Sequence, residues 1–134
     1  MNGVAAVRSA LVANAALIAL VPAARIGSGV LPQGTALPAI SITSVSSVDR
    51  NIPNPSTYRH VMERVQVTVM AATYPSQKTI LKAVRKAAAD TMPTVTGLVS
   101  VTIHTDSAGP DFMYDEASIY LGSQDFKVTY SEAR

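Results

Sequence analysis

Two histidines, nine acids, eleven bases and no cysteine are the groups in this chain that can ligate, donate or attack. His60 and His104 each fall on the solvent-leaning side of an alternating stretch. Metal or proton work would need a carboxylate or a second histidine at ligand spacing, and the neighbouring sequence supplies neither. Asp106, Asp111, Asp115 and Glu116 gather around one turn and could draw a cation. Their spacing lacks the alternating ligands and central glycine of a calcium loop, so a solvated turn is the expectation. Gly27-Ser28-Gly29 is a lone GxG with Pro32 where a third glycine would belong, and no strand is expected ahead of it, so the dinucleotide fingerprint fails. No serine occupies a Gly-x-Ser-x-Gly elbow. Without cysteine there is no thiolate metal site and no disulfide framework. No catalytic, metal or cofactor site is expected, and so no enzyme.

One charged stretch has more character. Lys78, Lys82, Arg85 and Lys86 lie along a helical pattern, with no acid between Ser76 and Ala89. They form either a solvated outer face, favoured near the helix end by its dipole, or a docking surface for an acidic partner or for passing DNA. No aromatic residues interleave with them, which argues against sequence-specific or single-strand recognition. The net charge of +2 and pI near 9.1 reflect only a small basic excess.

The elements that must position these groups follow from apolar spacing. At 134 residues the chain is one domain's worth, and 48% hydrophobic against 15% charged residues excludes disorder throughout. No tryptophan and two phenylalanines leave the core to aliphatic packing. Leu11 to Ala24, behind Arg8, has the outline of a secretory signal, but Asn14 interrupts it and the preceding segment is itself helix-patterned. Pro22 stops the run short of the roughly 20 residues of a membrane span, and no membrane partner is expected. Val4, Val7, Leu11 and Ile18 take helical spacing. A first helix ending near Ala13, with Asn14 capping a second from Ala15 to Val21, keeps that asparagine off the apolar stripe.

An irregular passage is expected from Ala23 to Leu37, then a strand from Pro38 carrying Ile40, Ile42 and Val45. The longest strand is Arg59 to Thr73, with Val61, Val65, Val67, Val69 and Ala71 on one side. Glu63 falls on that valine side, which predicts that the strand's first turn projects beyond the core. Met62 and Met70 give the polar side some apolar grip. A helix capped by Ser76 runs to about Thr91, with Ile80, Leu81, Val84, Ala87 and Ala88 inward. Further strands cover Leu98 to Asp106 and Ala117 to Tyr130, with a bulge near Gly122. The fold class expected is α+β: N-terminal helices and one further helix on a mainly antiparallel four-stranded sheet, in the order α-β-β-α-β-β.

Two long connections, 49–58 and 106–116, carry little to bury and suit contacts with other subunits. Candidate interface residues are Arg50, Asn51, Ile52, Asn54 and Tyr58 in the first, and Asp111, Phe112, Met113 and Tyr114 in the second. The Leu-Ala-rich opening VRSALVANAALIALVPAARI, the passage PQGTALPAI from Pro32 to Ile40, and the closing DFKVTY from Asp125 to Tyr130 carry a resemblance. From Val7 to Tyr130 the chain resembles the tail-completion (tail-terminator) proteins of long-tailed, siphophage-type bacteriophages. That resemblance implies a hexameric ring at the head-proximal end of the tail tube. Such a ring would touch the major tail tube protein and the head connector, with genomic DNA passing its lumen, and would carry no active site. A different connector or adaptor of the neck, and a basic nucleic-acid-binding module using Lys78 to Lys86, are the other readings.

Overall fold

Asn14 divides the N-terminal apolar stretch as its polarity demands. A computed structural model describes residues 2–29, 34, 36–51, 53–54, 56–114 and 118–134, Tyr114 by its backbone alone. Helix α1 (Asn2–Val12) ends before Asn14, whose Oδ1 accepts the Leu17 N–H at 3.0 Å and caps α2 (Ala15–Leu20). A 3-10 turn at Ala23–Arg25 leads into β1 (Ile26–Ser28). This strand lies inside the passage expected to be irregular. It pairs in parallel with β2 (Ala39–Arg50), Ile26 opposite Ile40 and Ser28 opposite Ile42. Three residues are too few for alternation to register in a sequence.

The expected hairpin joins β2 to β3 (Tyr58–Ala71). Asp49, Arg50 and Tyr58 belong to its strands, which shortens the connection to 51–57. Every valine assigned to the inner side of β3 is buried, as is Ala71. Glu63 overturns the expected projection, because it too is fully buried. The Gly3 N–H at the start of α1 donates to its Oε1 at 3.1 Å, and the Tyr130 hydroxyl donates to the same oxygen at 2.9 Å. Burial pushes this carboxyl up. The hydrogen bonds it accepts, those from Gly3, Tyr130 and Ser44 among them, prevail and hold it below the usual range. A Cβ on Gly3 would stand 2.8 Å from the Glu63 Cδ, so glycine is what lets helix and carboxylate meet.

Helix α3 (Tyr74–Ala88) starts two residues before the expected cap. Thr73 is the N-cap, and Ser76 gives its own N–H to the Thr73 hydroxyl at 3.3 Å. Ile80, Val84, Ala87 and Ala88 are buried as expected, and Gln77 joins them. Strand β4 (Leu98–Ala108) follows, then β5 (Phe112–Tyr114) inside the expected turn, then β6 (Ile119–Ala133). Among the described residues the sheet has six strands where four were expected, in the order β1-β2-β3-β6-β4, with β5 off that path and paired to the start of β6. The α+β class stands.

No bulge interrupts β3 against β6, whose register runs from Tyr58–Ala133 to Ala71–Tyr120. Apolar parity is lost near Gly122 for another reason. Gly122 and Gln124 take inner positions opposite Val69 and Val67, and the Gln77 amide occupies the space where a Gly122 Cβ would lie. The register shifts fall on β2 at Ser44/Ser46 and on β4 at Val99/Thr102 and Thr105/Ala108. The shift on β4 resets its alternation, so Val99, expected inward, is about half exposed while Val101 and Ile103 are buried. Val45, also expected inward, lies at the opposite parity to the buried Ile40 and Ile42 and is exposed at the β2 bulge. Helices α1 and α3 both cover the valine face of β3, closing an aliphatic core around Phe126, Leu11, Ile40 and Ile103.

Candidate assembly surfaces

With α1 and α3 on one face of the sheet, the opposite face meets solvent. His60, Met62 and Arg64 stand out from β3, and Val48 and Arg50 of β2 sit opposite Met62 and His60. A polar network stitches this face across strands. The Arg64 Nε donates to the Asp125 Oδ2 at 2.9 Å and lies 3.3 Å from Asp106, which Lys127 approaches at 3.7 Å. The Thr102 and Thr129 hydroxyls bond each other, and His60 meets Ser131 at 2.6 Å. Asp125 is buried, and the guanidinium of Arg64 is its charge partner. Against this balanced ground, Val48 (63% exposed) and Met62 (40%) form an apolar spot. The methionines were expected to lend grip here; Met62 does, whereas Met70 is half-buried.

The two candidate connections lie at opposite ends of the sheet. Tyr58 pairs with Ala133 at the finish of β6, and Phe112 pairs with Leu121 near its start. At about 3.4 Å per residue those ends are roughly 40 Å apart. At the first end Arg50, Asn51, Asn54 and Tyr58 are exposed, and Ile52 lies outside the described residues. Arg59 reaches Asp49 at 3.6 Å across the hairpin.

At the second end Asp111 is held from three directions by α3. The Lys78 Nζ lies 2.8 Å from Oδ2, the Tyr74 hydroxyl donates to Oδ2 at 2.9 Å, and the Gln77 Nε2 donates to Oδ1 at 3.2 Å. Lys78, with help from Tyr74 and Gln77, holds the Asp111 carboxyl below the usual range, and Asp111 in turn raises Lys78. Tyr74 stacks edge-on against Tyr120 and lies beneath the Lys78 ammonium. The anchored Asp111 leads into β5, where Phe112 and Met113 are exposed and the Tyr114 side chain lies outside the described residues.

Lys78 therefore has its acid within the chain, supplied 33 residues later. Lys82, Arg85 and Lys86 are exposed and, among the described residues, make no ion pair. His104 has a carboxylate after all: Asp90, past the end of α3, reaches its Nδ1 at 2.9 Å. Both side chains are well exposed, and among the described residues no three His, Asp or Glu converge as metal ligands. Sequence spacing missed Tyr74, Gln77 and Val48. The alternation that could have flagged Val48 is reset by the bulge at Ser44/Ser46.

Residues 5–131 match the family model described as tail completion protein gp17. The chain belongs to that family. No curated protein matches it. A chain in the virion of a native gene transfer agent particle shares the fold, with a TM-score of 0.74 at 21% identity, over 95% of this chain and 92% of that one. As a tail completion protein the chain is a structural component of a phage-type virion. Among its described residues no helix is long and apolar enough to cross a membrane. In a tail completion protein the surfaces that matter are those that other virion proteins can cover. The open sheet face and the two far ends carry the exposed residues described above.

Proposed function

We propose that this tail completion protein closes into a hexameric ring at the head-proximal end of a tail tube, halts tube polymerisation there and offers the joint to the head connector. One observation carries the reading: the sheet has unlike edges and two unlike ends. A subunit with unlike edges adds head to tail, and such addition ends in a ring when the rotation closes. Ends roughly 40 Å apart along the strands let one rim of the ring meet the tube and the other meet the connector. Growth stops because the second rim does not repeat the first. The three α3 bases that make no ion pair among the described residues, Lys82, Arg85 and Lys86, are available to an acidic neighbour or to DNA passing the lumen.

Imaging of assembled particles tests this. The expected result is a six-fold ring of this chain between tube and connector, and, when the chain is omitted, tubes of uncontrolled length without heads. Tubes of normal length in its absence would overturn tube termination. Density elsewhere in the neck would reassign the chain as an adaptor.

A further inference from the structure

Arg50, His60 and Ser131 form one row across three strands of the open face, Arg50 opposite His60 and His60 opposite Ser131. Val99 of β4 continues the row, and the register shift begins just beyond it, where Ser100 takes a positive φ. There the face holds a pocket of about 340 Å³, with Arg50, His60, Met62, Ser100 and Ser131 in its lining. No acid lines it. Asp49 and Glu132, next in sequence to Arg50 and Ser131, alternate to the other side of the sheet, where Asp49 meets Arg59 and Glu132 accepts from Asn2 at 2.8 Å. Two bases set directly opposite repel once the imidazole is charged, so folding alone gives no reason for the pair.

The donors suit an oxyanion. The Ser131 hydroxyl meets the His60 Nδ1 at 2.6 Å, which leaves Nε2 for a ligand. Among the described residues Arg50 makes no ion pair and no side-chain hydrogen bond. Its guanidinium fork matches a carboxylate in two parallel bonds.

The surrounding charges narrow the source. Every described acid of this chain is already hydrogen-bonded or ion-paired within it, so a second copy has no free carboxylate to offer from these residues. DNA presents a line of phosphates and calls for a track of cations. Beside the pocket there is no such track: Arg64 and Lys127 are met by Asp106 and Asp125, and the exposed Val48 and Met62 are apolar.

We propose that this pocket binds an aspartate or glutamate side chain of an unlike virion protein, the carboxylate on Arg50 and His60 and an adjoining apolar residue on Met62 and Val48. The inference goes beyond the ring reading and does not need it, because one subunit holds the whole pocket.

The protein has two histidines, so His104 on β4 is an internal control when ring protons are followed by nuclear magnetic resonance. The probe is a capped Leu-Glu-Leu tripeptide, with capped Leu-Gln-Leu as its neutral counterpart and inorganic phosphate and duplex DNA as rival anions. The glutamate peptide should shift the His60 signals saturably and leave those of His104 in place. Roughly tenfold weaker binding is expected for the glutamine peptide and for Arg50→Ala, with thermal melts confirming that the variant folds. A still His60, equal response to both peptides, or indifference to Arg50→Ala would overturn the proposal. Preference for phosphate or DNA would overturn it in favour of a phosphate site, and His60 signals that move with protein concentration alone would give the pocket to a second copy. The ring reading survives each of these results, since particle imaging decides it.

Discussion

The β1–β2 side and the β4 side of this sheet both end in a backbone rim, and the chain treats the two rims oppositely. On β4 the rim is guarded. Two register shifts distort it, Ser100 takes a positive φ of 55°, and the Ile103 N–H is already spent on the Thr91 carbonyl at 2.9 Å. Asp90 and His104 add a polar cover. On β2 the run from Thr43 to Val48 has no charge and no proline, and one bulge is its sole irregularity. Bulges, charges and covering segments are the usual means of keeping an edge from pairing with other chains. A plain edge beside a guarded one is what a subunit needs if neighbours are to join in one direction only.

Four changes break or sharpen this contrast. The largest effect is expected from Phe126→Ala, which empties the core beneath both rims at once. A loss of about 3–5 kcal/mol is expected from cavity formation, read by chemical denaturation, with both rims lost in one transition. Gly3→Ala acts on one side. Its methyl would collide with the Glu63 carboxylate and push α1 off the sheet. About 1–3 kcal/mol is expected, with hydrogen exchange rising in α1 and β1 before β4.

The third concerns pH. Glu63 has a folded value below its unfolded one, so its contribution is complete above the ordinary carboxylate range and is lost as pH falls through the folded value. Wild type should therefore lose melting temperature below about pH 4 more steeply than Glu63→Gln. Parallel curves would show that the carboxylate adds nothing specific. The smallest change in stability should follow deletion of residues 52–56, which leaves the sheet paired and the melt almost unmoved while abolishing assembly. Loss of cooperative unfolding in that variant would make the loop structural.

Much of the fold was legible before the structure. Asn14 as a cap, the buried side of β3, the hairpin with β2 and the core stripe of α3 all follow from spacing and polarity, which act within a few residues. The misses share one cause. The strands β1 and β5 are three residues long and exist because a longer strand offers them an edge. Glu63 is buried because a helix start and a tyrosine, distant in sequence, converge on it. Val48 and Val99 turn outward because bulges reset the count. The candidate surface was half legible. Exposed residues in two connections could be named, but not that the connections face opposite ends of one sheet, nor that Asp111 is fastened to Lys78.

The sequence by itself determined which short stretches turn, coil or extend, that the core is aliphatic, and that the usual catalytic spacings are missing, because these are properties of neighbouring residues. Tertiary structure alone decided which rim is guarded and which is open. Those depend on pairings between residues far apart in the chain, such as Ile40 with Val69 or Thr57 with Arg134, and local periodicity carries no information about such distant partners.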